Sequence, residues 1–212
     1  MNHVFDFLFG QYSGYSNFNI AIEVVAILFS IFSVIYSLKN KVWVFPTGII
    51  STLLFVYLLF KWGLLGDMIV NAYYFIMSVY GWYIWTKKVD KVHVTPISFT
   101  TKKEHITTLF IFIGTLFFIY IIYTIFDKWN DWTAYVDTFT TGLFFVGMWL
   151  MAKRKIENWI YLLIGDFISI PLYFYKGYTL SSILYILFTV IAIFGYLEWK
   201  KRLDKQTIPV LK

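Results

Sequence analysis

Asp166 lies in the middle of the apolar stretch Asn158–Tyr175, a place where an ionisable side chain costs about 2.5–3.5 kcal/mol if the surroundings are lipid. Trp159, Leu162, Asp166 and Tyr173 recur at spacings that keep them on one face of a helix. That face carries an indole, a carboxylate deeper along the helix and a phenol near the far end. An indole attracts a cation by about 0.5–2 kcal/mol, and a nearby carboxylate adds Coulomb attraction where water screens poorly. The pair suits a flat, positively charged ring. The plainer reading is that Asp166 accepts a hydrogen bond from a neighbouring helix and Trp159 anchors the helix at the membrane surface.

A second polar stripe, Asn71, Tyr74 and Ser78, is spaced i, i+3, i+7, and either lines a cavity or joins helices. Asp137, beside Tyr135, Thr138, Thr140 and Thr141, and Glu23, one turn into its own apolar run, are further carboxylates that face either a cavity or the outer surface. Pro171 interrupts its helix, frees the Phe167 carbonyl and is a candidate hinge. Trp85 and Trp199, each followed closely by lysine, read as interfacial anchors, and Gly81 and Gly195 as sites of close helix packing.

The elements that hold these residues follow from composition. Of the 212 residues, 59% are hydrophobic and only 18 basic and 12 acidic residues are present, too few to cover a soluble surface. Long solid apolar runs point to spanning helices and not to the short alternation of a membrane β-barrel. The absence of cysteine excludes disulfides, thiolate metal sites and a cysteine nucleophile. No zinc-ligand, nucleotide-binding or hydrolase motif is present, so no enzyme and no cofactor are expected. A retinal-type Schiff base is excluded because the seventh run has no lysine before Lys200.

Seven spans are expected: Phe18–Leu38, Trp43–Phe60, Asp67–Trp85, His105–Phe126, Thr133–Ala152, Asn158–Tyr175 and Leu180–Trp199. Fifteen of the 18 basic residues then fall in alternate connections, leaving Lys61, Lys128 and Lys176 on the other side. This sorting places the N-terminus outside and the C-terminus in the cytoplasm. It also accounts for the net charge of +6 without nucleic acid. The first 17 residues lack Lys and Arg and a small-residue cleavage site, so the first span reads as retained.

Two halves resemble each other. Trp43 and Tyr57 match Trp159 and Tyr173, Gly81 and Trp85 match Gly195 and Trp199, and Glu23 matches Asp137. The expected fold is all-α, two parallel three-helix repeats (18–88 and 133–202) joined by a linking helix (105–126), forming one transmembrane domain over 1–212. Transporters built from repeats bind substrate between the halves near the midplane.

The segments ENWIYLLIGDFISIPLYFYKG and GLLGD…YYFIMSVYGWYIW, with the three-one-three layout, resemble the PnuC family of bacterial vitamin transporters over nearly the whole chain. The resemblance implies a SWEET-like fold in the inner membrane and uptake of nicotinamide riboside by facilitated diffusion, with a cytoplasmic kinase trapping the product; related members carry thiamine or riboflavin. It also implies a Trp-x-x-Trp pattern followed by a polar residue on the sixth span. Here that pattern is Trp159-x-x-Leu162 followed by Asp166. Nicotinamide riboside and thiamine both carry a cationic ring and suit Asp166, whereas riboflavin's neutral ring leaves the carboxylate unpaired. An ion or proton channel using Asp166 and Asp137 is the alternative of another class, an interaction scaffold a third, and assembly as a homo-oligomer is left open.

Overall fold

The computed structural model describes residues 15–62, 65–87, 95–129 and 131–207. Among these residues seven helices follow in order: α1 (Asn17–Leu38), α2 (Val44–Lys61), α3 (Leu65–Thr86), α4 (Lys102–Ile125), α5 (Thr133–Ala152), α6 (Asn158–Tyr175) and α7 (Thr179–Thr207). Among the described residues the sole strand-like feature is an isolated bridge between Ser98 and Lys155.

Local chemistry sets the ends of these helices. Ser16 caps α1 by accepting from the Asn19 N–H at 3.3 Å. Thr101 and Glu104 form a reciprocal capping box at α4. Four helices end on a residue in the left-handed region: Asn40, Asp127, Arg154 and Gly177. In each case the next N–H reaches back to a carbonyl five residues earlier, as Lys41 does to Tyr36 at 2.9 Å. Pro171 does not end α6, which runs on to Tyr175; the neighbouring Ile170 carbonyl accepts from the Ser182 hydroxyl of α7 at 2.8 Å.

Two expected boundaries move. α4 starts at Lys102 because the capping residue Thr101 lies four residues before His105. α7 continues past Trp199 to Thr207, since Leu203 is buried in the core and Arg202 pairs with Glu198 one turn back at 2.7 Å.

Four helices (α1, α2, α4 and α7) are apolar and long enough to cross a membrane on length and composition alone. The other three are those that carry Asn71, Asp137 and Asp166. α1 packs on α2, α2 on α3, α3 on α5, α5 on α6, α6 on α7, and α7 returns to α1. This is a closed ring of six helices, with α4 outside it against α5. Phe110, Phe117 and Ile125 on α4 are about two-thirds exposed, the surface expected where acyl chains are the solvent.

The two halves of the ring match at a constant offset of 114 residues. The hydrogen bonds closing α1, Asn40 to Ser37 and Lys41 to Tyr36, recur at α5 as Arg154 to Met151 and Lys155 to Leu150. This register corrects one expected match. Phe45, not Trp43, is the equivalent of Trp159: the ring of Phe45 covers Gly81 as that of Trp159 covers Gly195. Trp43 is 60% exposed, whereas Trp159 is 1% exposed.

Candidate functional site

At the end that carries the clustered basic residues, four rings cross the bundle in series. Phe45 of α2 meets Trp85 of α3 edge-on at 5.0 Å, Trp85 meets Trp199 of α7 at 5.8 Å, and Trp199 meets Trp159 of α6 edge-on at 5.7 Å. The offset exchanges the two halves of this series, so the pseudo-two-fold axis passes between Trp85 and Trp199. Trp85 and Trp199 are therefore not interfacial anchors. Both are buried, and each indole N–H donates across a seam between the halves, Trp85 to the Met151 carbonyl at 3.2 Å and Trp199 to the Ser37 carbonyl at 2.8 Å. The rings close this end of the bundle.

The surrounding connections reinforce that closure on one side. Arg154 stacks on Trp85 at 4.1 Å and donates to the Thr95 carbonyl. Burial pulls its guanidinium down to about 10, so it stays charged at neutral pH. Glu157 accepts from the Thr100 N–H at 2.9 Å and hydroxyl at 2.7 Å.

Asp166 lies seven residues beyond Trp159, roughly 10 Å further along the helix. It is buried, and among the described residues it has no hydrogen-bond or ion-pair partner. The Tyr74 phenol of α3 and the Tyr185 phenol of α7 lie within its field. α3 and α6 are separated in the ring by α5. Phe144 of α5 stacks on Tyr185 at 6.1 Å, and Tyr173 of α6 meets Tyr185 at 4.9 Å. Phenols of α3 and α7 thus lie in the field of the carboxylate, and Tyr185 in turn packs on rings of α5 and α6.

Three more polar atoms on α6 have no partner among the described residues: the Asn158 Oδ1, the Trp159 Nε1 and the Ser169 hydroxyl, all fully buried. A buried polar group left unpaired costs about 1–3 kcal/mol. They lie on the same helix as Asp166, on either side of it.

The other candidates are distributed around this centre. Leu162 packs into the space over Gly147 of α5, where an added methyl would sit 2.8 Å from its Cδ2. Trp159 is enclosed by Trp199 and Gly195, so its ring faces are covered in this conformation. Asn71 donates to the Asp67 carbonyl at 3.0 Å and Ser78 to the Tyr74 carbonyl at 2.9 Å, both on their own helix, so neither joins helices. Tyr73, next to Tyr74, does so: its hydroxyl donates to the Phe145 carbonyl at 2.9 Å and its ring stacks on Phe145 at 3.8 Å.

At the opposite end Asp137 pairs with Lys176, which also approaches the Tyr173 ring at 5.8 Å. In the first half Lys61, at the end of α2, meets Asn19 at 3.1 Å. Glu23 is half-buried in α1, at the position the offset pairs with Asp137, with Tyr15 in its field. Asp131 lies between α4 and α5, where the Thr133 hydroxyl and N–H hold its carboxyl below the usual carboxylate range. Tyr185 and Ser169 were not singled out by type and spacing. The signals available were that Ser169 lies one turn from Asp166 and that Tyr185 is the offset equivalent of Asn71.

Comparison with known proteins places this architecture. Residues 20–201 match the family described as nicotinamide mononucleotide transporter. The riboflavin/roseoflavin transporter RibM of Streptomyces davaonensis is 24% identical over 198 residues, 90% of this chain and 89% of the relative. The nicotinamide riboside transporter PnuC of Escherichia coli is 22% identical over 175 residues, 72% of this chain and 73% of the relative. The crystal structure of the vitamin B3 transporter PnuC aligns with a TM-score of 0.67 at 20% identity, covering 90% of this chain and 85% of that one. With the family match running through the whole six-helix ring and α4, the chain belongs to the PnuC family of multi-pass membrane vitamin transporters.

Proposed function

We propose that the protein carries a vitamin with a positively charged aromatic ring, nicotinamide riboside first and thiamine second, downhill across the inner membrane. The N-terminus faces outside and the basic end faces the cytoplasm, where a kinase traps the product; the fifteen-to-three division of basic residues supports this direction. The observation that carries the reading is Asp166, a buried carboxylate without a partner among the described residues, with the Tyr74 and Tyr185 phenols in its field. A cationic ring answers both features, since the aromatic faces attract it and the carboxylate neutralises it. The four-ring series below Asp166 then separates the site from the cytoplasm and must part for release, while the Asp137–Lys176 pair stands at the outer end. Alternating access in repeat transporters proceeds by such movement of one half against the other.

A second reading, riboflavin, is favoured by two observations. RibM resembles the chain over 90% of its length, and the unpartnered Trp159 Nε1 and Ser169 hydroxyl are donors that suit carbonyls on a neutral ring. Against it stands the energetic cost of an anionic Asp166 without a counter-charge. Proteoliposomes holding purified protein, with labelled nicotinamide riboside, thiamine and riboflavin supplied without an ion gradient, separate the readings. Nicotinamide riboside should equilibrate across the membrane. Equilibration of riboflavin alone, or accumulation above the external concentration on adding a sodium or proton gradient, would overturn the proposal.

A further inference from the structure

At the basic end each seam between the halves carries a groove, and the two grooves are equivalent under the 114-residue offset. The groove beside α3 and α5 takes in Tyr80, Ile84 and Lys153; the groove beside α1 and α7 takes in Phe194, Glu198 and Lys39 at the matching positions.

The protein lines the first groove with its own chain. The segment 95–101 lies along it, with Ile97 buried in the core, the Ser98 N–H and carbonyl bonded to Arg154 and Ile156, and the Phe99 carbonyl accepting from Lys155 at 3.2 Å. The Glu104 carboxylate completes the arrangement, 2.9 Å from Lys155 and 3.7 Å from Lys153. This side of the bundle thus takes a buried apolar side chain, Ile97, and a carboxylate held between two lysines.

The second groove, about 460 Å³, has an apolar floor of Leu38, Ile191, Phe194 and Leu197 and a rim of Lys39, Lys201 and Arg202. Glu198 neutralises Arg202 at 2.8 and 2.7 Å. No ion pair or hydrogen bond engages the side chains of Lys39 or Lys201 among the described residues, and both are exposed. Phe194 and Leu197 are more than half exposed, so the floor opens toward the acyl-chain region.

We infer that the open groove between α1 and α7 is a binding site for an anionic phospholipid of the leaflet at the basic end. The acyl chain lies on the apolar floor and the phosphate is held by Lys39 and Lys201, as a basic pocket at a membrane boundary holds an acidic headgroup. A soluble anion would use the rim and leave the floor uncovered. The lipid stands where the segment 95–101 and Glu104 stand in the other half, so it adds a second tie to the Trp199–Ser37 hydrogen bond that joins the end of α1 to α7. The α5–α6 turn is fastened permanently. The inference concerns the membrane-embedded fold and is independent of which vitamin is carried.

Native mass spectrometry of the full chain released from nanodiscs of equal parts phosphatidylglycerol and phosphatidylcholine tests it. The wild-type protein should retain phosphatidylglycerol in preference to phosphatidylcholine, and added inorganic phosphate should not displace it. The double substitution Lys39→Gln/Lys201→Gln should lower that retention roughly 25-fold, from the usual contribution of each lysine near an anionic surface. Lys103→Gln, a basic position at the same end outside the groove, should leave it unchanged. Equal retention of both lipids by the wild-type protein overturns the inference without recourse to any variant. So does displacement by phosphate, or equal loss in Lys103→Gln. A lipid-free wild-type dimer that the double substitution splits would assign the groove to a second copy of the chain instead.

Discussion

Replacing Trp199 with Phe removes the indole N–H that joins α7 to the Ser37 carbonyl of α1 at 2.8 Å. The carbonyl is not orphaned, because it also accepts from the Asn40 N–H at 2.9 Å, so the hydrogen-bond loss stays near its net value of about 1 kcal/mol. The lost part of the ring was fully enclosed, and the void adds about 1–2 kcal/mol. The total is roughly 2–3 kcal/mol. Trp85→Phe should cost about the same. Its N–H bond is longer, 3.2 Å, and Met151 likewise keeps the Arg154 N–H, but the ring also carries the Arg154 guanidinium at 4.1 Å. The two rings touch at 5.8 Å, so the double variant should depart from additivity by about 0.5–3 kcal/mol. Equilibrium unfolding in mixed micelles reads all three values. A Trp199→Phe protein as stable as wild type, beside a severely damaged Trp85→Phe protein, would refute the claim that the two seams are equivalent.

Other substitutions probe separate parts of the account. Gly195→Ala places a methyl 2.6 Å from the Trp159 ring and Gly81→Ala one 2.2 Å from the Phe45 ring, so each should destabilise the fold by about 1–3 kcal/mol, whereas Gly114→Ala on lipid-facing α4 meets nothing within 4 Å and should stabilise by about 0.5–1 kcal/mol; thermal unfolding in detergent orders the three. Asp137→Asn or Lys176→Gln alone leaves a half-buried charge without its partner and should lose about 1–3 kcal/mol, most of it recovered in the double variant by the same assay. The Asp131 carboxyl, held low by Thr133, contributes its stabilisation above the ordinary carboxylate range and loses it as pH falls through its lowered value; Thr133→Val should move its titration upward in an NMR pH series, and an unmoved titration would contradict the assignment.

The helices were legible because solid apolar runs and sorted lysines are dictated by the bilayer, whatever the tertiary packing. Asp166 was legible for the same reason, since a charge in such a run is costly enough to stand out. Tyr185 and Ser169 were not, because tyrosine and serine are ordinary in membrane helices: only the packing of α7 on α6 brings Tyr185 into the field of the carboxylate, and only the folded bundle leaves the Ser169 hydroxyl, one turn from Asp166, buried without a partner among the described residues. The Trp43–Trp159 match was misleading: identity of type suggested it, but the geometry of covering a glycine is what recurs, and a phenyl ring at Phe45 does this as well as an indole. The segment 95–101 carries no periodicity, and its bonds to residues 154–157 join positions more than fifty apart, so no local pattern announces them.

Calorimetric binding of nicotinamide riboside and riboflavin to the wild-type protein and to Asp166→Asn tests the central claim most directly, because the substitution keeps the side chain's shape and deletes its charge. The account predicts that nicotinamide riboside binds the wild-type protein and loses roughly tenfold or more in affinity in Asp166→Asn, the scale of a charge-assisted contact worth about 1.5–3 kcal/mol, while riboflavin binds weakly to wild type and no more weakly to the variant. Unchanged affinity for nicotinamide riboside in Asp166→Asn, or riboflavin as the tighter ligand of the wild-type protein, would contradict it.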